Sequence, residues 1–187
     1  MNVVHRLYCR SNRWRAHLKD LLAWGCEDVD LADEHVLELG SGPGLSTEWV
    51  RSRLKAGQLS TIELDRADAA ELAARLPDVD VHHADATALP FADGSFDVVV
   101  SFTMLHHVPT ADAQQRLLAE AFRVLRPGGI FAGVDSKWGP LFAIGHLGDT
   151  LNLIPASDIA QRLRSARFVD VTSSEKRSAF RFRAVRP

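Results

Sequence analysis

The sequence predicts one α/β domain built on a doubly wound, mostly parallel sheet. Three observations carry this. Short apolar runs alternate with helical patterns from Val36 onward, a Gly-rich turn follows the first run, and 187 residues suit one self-sufficient core. The apolar runs are His35 to Leu39, Leu59 to Leu64, Val79 to His83, Phe96 to Ser101 and Gly129 to Val134. Runs such as VVV show little alternation, as expected of strands buried on both faces by crossover helices.

The helices are read from spacing and caps. Trp14, Leu18, Leu21 and Leu22 recur at helical intervals between Ser11 and Trp24, with Ser11 or Asn12 as N-cap and Gly25 as stop. The glycine turn runs into a second helix. Asp65 caps RADAAELAARL, with Asp68 and Glu71 loading its positive end. A further helix spans Ala111 to Leu125 and is closed by Arg126-Pro127-Gly128-Gly129. Ser157 to Ala166 reads as the last helix. Phe168 to Arg186 reads as two strands with a turn near Ser173 to Ser178, too short a connection for anything but an antiparallel hairpin.

Composition excludes several classes. At 46% hydrophobic and 25% charged the chain is of globular type, and no apolar run reaches the roughly 18 residues a membrane helix needs. His5, Arg6, Arg10 and Arg13 interrupt the start of the chain, which lacks the apolar stretch of a secretory signal, so a cytoplasmic protein is expected. Cys9 and Cys26 have no further cysteine to join in a zinc or disulfide framework and read as free thiols; no metal site is expected. Net charge is −2, yet residues 1–19 carry five Arg/Lys and no acid, and residues 161–187 carry eight against two. Two basic ends could meet an anionic partner or simply be solvated.

Chemistry is concentrated in VLELGSGPGL, residues 36–45, a buried strand entering a glycine turn. Gly40, Gly42 and Gly44 let backbone approach a ligand, and ligands of open α/β sheets bind outside the carboxyl ends of the strands. A dinucleotide fingerprint would need a third glycine where Leu45 stands, which weakens a nicotinamide-dependent oxidoreductase. Glu38, a carboxylate in a buried strand, needs donors from the loop or a ligand ammonium. Glu63 ends the second strand and can accept ribose hydroxyls, with Asp65 as competitor or N-cap. Asp85, after the third strand, can accept from an adenine amino group or cap a turn.

Taken in order, VLELGSGPG, TIELD, ADATALPF, GSFDVVVSFTMLHHV and RVLRPGG resemble the successive motifs of class I S-adenosylmethionine (SAM)-dependent methyltransferases. The similarity covers about Val36 to Val134 and is nearest the small-molecule branch of ubiquinone and menaquinone biosynthesis. The resemblance implies a Rossmann-like seven-stranded sheet ordered 3-2-1-4-5-7-6 with antiparallel strand 7, residues 1–34 forming an N-terminal helical cap on a core of 35–187. It further implies that Glu38, Gly40, Ser41, Gly42 and Gly44 surround the methionine part of SAM and that Glu63 binds its ribose. Leu64, Asp85 and Ala86 would frame adenine, and Ser101 would lie beneath the sulfonium. Glu63 departs from the Asp common in that family.

Methyl transfer from a sulfonium depends mainly on positioning, so a base is optional. His106 and His107 follow the fourth strand, and His106 is the candidate catalytic residue; on an extended segment only one of the pair could face the acceptor. The connection from Ser136 to Ala156, with Trp138, Leu141, Phe142, Ile144 and Leu147, reads as an apolar lid or a packed helix, and an apolar lid suits a small apolar or amphipathic acceptor. A catalytically silent SAM-binding protein is the main rival. A nucleic-acid methyltransferase is weaker, since no Asn/Asp-Pro-Pro-aromatic tetrapeptide is present.

Overall fold

The computed structural model describes residues 11–187; Cys9 and the basic Arg6 and Arg10 lie outside that range. Helix α1, Asn12–Gly25, starts where Ser11 Oγ accepts the Trp14 amide at 3.2 Å and ends at the predicted glycine. Strand β1, Val36–Leu39, has all four residues buried. Then come α2 (Leu45–Arg51), β2 (Leu59–Glu63), α3 (Arg66–Arg75), β3 (Asp80–His83), β4 (Phe96–Phe102) and a 3₁₀ turn at Leu105–His107. The chain closes with α4 (Ala111–Val124), β5 (Leu125–Ser136), α5 (Pro140–Gly145), α6 (Ile159–Ser165), β6 (Val169–Glu175) and β7 (Ala179–Val185).

The seven strands lie in the order β3-β2-β1-β4-β5-β7-β6, as expected, with β7 antiparallel to both neighbours. Period-2 alternation divides the core between the two faces. Leu37, Leu39 and Val99 pack with Leu117 and Leu118 of α4 and with Ile159 and Leu163 of α6. Val36, Val98 and Val100 join Leu18 and Leu22 of α1, Val50 of α2 and Leu72 of α3. Helices therefore cover both faces, which is why the central strands read as unbroken apolar runs. Among them Cys26 is buried, and burial pushes its thiol up to about 12, outside the reactive range.

Two boundaries differ from expectation. Helix α4 ends one residue early, and β5 begins at Leu125, four residues before the predicted Gly129. The Arg-Pro-Gly-Gly segment does not simply break the helix. Leu125 pairs with Phe96, and the Gly128 amide and Gly129 carbonyl bond to the backbone of Arg186 at 2.8 and 2.9 Å, so the glycines are knitted to the C-terminal strand. Likewise β6 runs on to Glu175, leaving a tighter turn at Lys176, Arg177 and Ser178 than predicted.

Candidate active site

A cavity of about 650 Å³ opens at the carboxyl ends of the parallel strands, within the usual range for small-molecule sites. One end is walled by Gly40, Ser41, Gly42, Glu63, Leu64, Asp85 and Ala86. The other is lined by Trp14 and Leu18 of α1, by His106, His107 and Val108 after β4, and by Phe142 and His146 of the β5 to α6 connection. Glu38, Gly44 and Ser101, also predicted, stand behind the wall rather than in the lining.

The glycine turn is shaped by its neighbours. Gly40 has φ +74°, and a Cβ there would collide with Met104; Gly44, at φ +84°, caps α2 against Leu72 and Arg75. Both need glycine for backbone conformation and for close approach. The loop is then clamped: the Gly42 amide donates to Glu63 Oε2 at 2.7 Å, and the Asp65 amide donates to Glu63 Oε1 at 2.9 Å. Asp65 is the N-cap of α3, accepting from Ala67 and Asp68, and it lines the same cavity as Glu63. A carboxylate has further acceptor capacity beyond these bonds.

Beneath the loop, Glu38 is fully buried. Its Oε2 accepts from Thr47 at 2.5 Å and from Thr61 at 3.2 Å, while Oε1 accepts no hydrogen bond among the described residues. Burial raises its pKa to about 7; the hydroxyls of Ser46, Thr47 and Thr61 oppose the rise and the nearby Glu63 charge adds to it. Ser41 Oγ and Ser101 Oγ are likewise buried without partners among the described residues. Three orphaned polar atoms around one glycine turn fit a site completed by a polar ligand. At the rim, Leu64 is 68% exposed, an apolar platform beside Asp85, whose Oδ1 accepts the Thr87 amide.

At the opposite end the chain leaves β4 through Thr103, a β-branched residue at φ +51°, an uncommon and costly conformation. The following residues form the 3₁₀ turn rather than extended chain. Successive side chains are then about 120° apart instead of opposed, so both His106 and His107 reach the cavity, contrary to expectation. His106 is buried and its Nδ1 donates to Asp135 Oδ1 at 2.5 Å, while its backbone amide donates to Asp135 Oδ2 at 3.2 Å. Asp135 and His146 were not singled out in the sequence. Asp135 lies near the carboxyl end of its strand, as Glu38 and Glu63 do of theirs, a signal present in the sequence; His146 sits in the connection with no local mark. The side chains of Leu141 and Ile144 are not among those described.

A doubly wound sheet with an antiparallel seventh strand, a clamped glycine turn and acids at the next two strand ends defines the class I SAM-dependent methyltransferases. The chain belongs to the methyltransferase domain family, whose model matches residues 37–133. It is 37% identical over 125 residues to the phthiotriol/phenolphthiotriol dimycocerosates methyltransferase of Mycobacterium tuberculosis. That alignment covers 66% of this chain and 45% of the relative, so the match spans less than half of the relative's length. Among solved structures, a SAM-dependent methyltransferase of Thermotoga maritima superposes with TM-score 0.74 at 17% identity over 98% of both chains. The N-methyltransferase NodS of Bradyrhizobium japonicum, in complex with S-adenosylhomocysteine, superposes with TM-score 0.70 at 17% identity over 95% of this chain and 89% of that one. These likenesses are of fold. The relatives do not single out the ubiquinone and menaquinone branch. Among the described residues no helix is long and apolar enough to cross a membrane.

Proposed function

We propose that this protein is a cytoplasmic SAM-dependent methyltransferase acting on a hydroxyl of a small apolar or amphipathic molecule. The observation that carries the reading is one cavity joining the clamped glycine turn to an apolar chamber with a carboxylate-backed histidine. When bound, SAM supplies a methyl group already activated on a sulfonium. The Gly40 and Gly42 backbone and Ser41 Oγ meet the methionine part, with Glu38, Gly44 and Ser101 shaping the loop from behind. Glu63 accepts the ribose hydroxyls, Leu64 and Ala86 pack on adenine, and Asp85 accepts from its amino group. Asp135 fixes the ring of His106 so that Nε2 carries the lone pair, and that nitrogen takes the acceptor's proton as the methyl group is transferred. Trp14, Val108, Pro109 and Phe142 surround the acceptor.

An apolar acceptor is supported by the phthiotriol and phenolphthiotriol dimycocerosates in the name of the mycobacterial relative. The basic C-terminal stretch gives little support to a nucleic-acid substrate, because Arg181 pairs with Glu27 and Asp28 and Arg186 donates to the Arg123 and Leu125 carbonyls. The test is calorimetry with SAM and S-adenosylhomocysteine, followed by methyl-labelled SAM offered with lipid extracts. Saturable binding and label in an apolar product are expected. No binding at millimolar cofactor would refute the assignment, and binding without label transfer would make this a SAM-binding protein and not an enzyme. With an acceptor in hand, His106→Ala should lower kcat about 100-fold while SAM affinity is kept. An unchanged kcat would reduce His106 to packing.

A further inference from the structure

Three imidazoles converge on the acceptor end of the cavity from two separate segments. His106 and His107 come from the 3₁₀ turn after β4, and His146 follows α5. One ring nitrogen of each lies within 4.8 Å of those of the other two. Their ring centroids are 4.2 Å apart for His106 and His107, 5.2 Å for His106 and His146, and 5.4 Å for His107 and His146. Edge-on and tilted contacts with Phe142 account for the packing of His106 and His146. They do not account for how the two buried rings are oriented. His106 donates its Nδ1 hydrogen to the Asp135 carboxylate, and His146 donates its Nδ1 hydrogen to the Phe142 carbonyl at 2.7 Å. Each neutral ring then carries its lone pair on Nε2. Histidines that ligate metals are held in this way, the far ring nitrogen donating to a carboxylate or a backbone carbonyl that fixes the tautomer and raises ligand basicity.

We infer that His106, His107 and His146 form a binding site for a single divalent transition-metal ion of the Zn2+ class, with one coordination position turned toward the acceptor chamber. Three neutral nitrogen donors select Zn2+, Co2+, Ni2+ or Cu2+ over the oxygen-seeking Mg2+ and Ca2+. Three protein ligands with a fourth position open is the pattern of a reactive zinc ion, not of a closed structural one. Tetrahedral zinc with bonds near 2.05 Å places ligand nitrogens about 3.4 Å apart, so nitrogens within 4.8 Å of one another close by at most about 1.4 Å on loading, and Asp135 supplies a compensating negative charge behind His106. The two residues that share a turn cannot make this site alone; it exists only because the β5 to α6 connection returns His146 to the carboxyl end of β4.

The use of such an ion rests on the function proposed above. His106 Nε2 is then the base only in the metal-free protein; in the loaded protein it is a ligand, and the ion replaces it as the group that activates the acceptor hydroxyl. The acceptor hydroxyl then binds the ion, which lowers its pKa, and its proton leaves to water. The oxygen attacks the methyl carbon as the carbon–sulfur bond breaks, and the electron pair stays on sulfur. Ion binding itself needs neither SAM nor acceptor, so it is read separately from methylation.

The test is titration of the chelator-treated full chain with Zn2+ by calorimetry and with Co2+ by visible absorption. One equivalent bound at micromolar or tighter concentration is expected, with the intense Co2+ bands of a four- or five-coordinate site. His146→Ala and the less buried His107→Ala should each weaken binding at least about 100-fold, and Asp135→Asn about 10 to 100-fold through the ring it orients. SAM affinity and melting temperature serve as controls for folding. Absence of stoichiometric binding, or binding that survives both histidine substitutions in folded protein, overturns the site whether or not the protein methylates anything.

Discussion

At the carboxyl end of β2, two acids two residues apart divide the local hydrogen bonding. Glu63 holds the Gly42 and Asp65 amides, while Asp65 caps α3. Substituting each should therefore produce different losses. Glu63→Ala removes a charged acceptor from the cavity wall and releases the glycine turn, so SAM affinity should fall by about 10 to 100-fold, the equivalent of about 1.5 to 3 kcal/mol. Asp65→Ala should cost about 1 kcal/mol of folding stability and leave affinity nearly intact. Calorimetry and urea unfolding on both variants check this; equal affinity losses in folded protein would overturn the assignment of the ribose to Glu63. The distinction was visible in the sequence as a pair of alternatives. The backbone geometry of the helix start, which composition does not specify, makes Asp65 the cap.

Among the elements, the parallel strands were legible because burial on both faces leaves unbroken apolar runs. The start of β5 was not, because Pro and Gly in sequence read as a breaker unless a distant strand, here the one ending at Val185, supplies partners for the glycines. Gly133 shows the same dependence on neighbours. It lies between Ser101 of β4 and Phe182 of β7 in the register, and a Cβ would press on the Ser101 carbonyl and the Phe182 ring. Backbone cannot retreat here without breaking the ladder. Gly133→Ala should destabilise the fold by about 1 to 3 kcal/mol, the range for overpacked cores. A chemical unfolding midpoint equal to wild type would show that β4 and β5 have slack. Because Ser101 stands directly behind the cavity wall, a loss of SAM affinity in the folded fraction is expected with it.

At the scale of the whole molecule, the acceptor end was only half legible. His106 stood beside the fourth strand, but Asp135 and His146 reach it through the topology that brings β5 alongside β4 and folds the following connection back. Glu38 was legible as an anomaly, a carboxylate in an apolar strand, and its consequence is global. Burial lifts its pKa to about 7, against an ordinary 4.5. Between those values the folded protein binds a proton that the unfolded chain has released, so stability falls as pH rises through this window. Below about pH 4.5 both states are protonated and the penalty is absent; above about pH 7 both are ionised and it is complete, at about 3 kcal/mol for a difference of this size. Asp78 and Glu120 have lowered pKa values, chiefly from Arg51 and Arg123 respectively, and act in the opposite sense, losing stability on acidification. The raw stability profile therefore mixes the two signs, and the comparison that isolates Glu38 is with Glu38→Gln, which keeps the shape and cannot ionise. Urea unfolding of both proteins from pH 4 to 8 should show wild type losing about 3 kcal/mol relative to the variant as pH rises, nearly all of it between about pH 4.5 and 7. A difference that stays flat across that range would mean Glu38 titrates at its ordinary value in the folded protein, with donors enough to offset its burial.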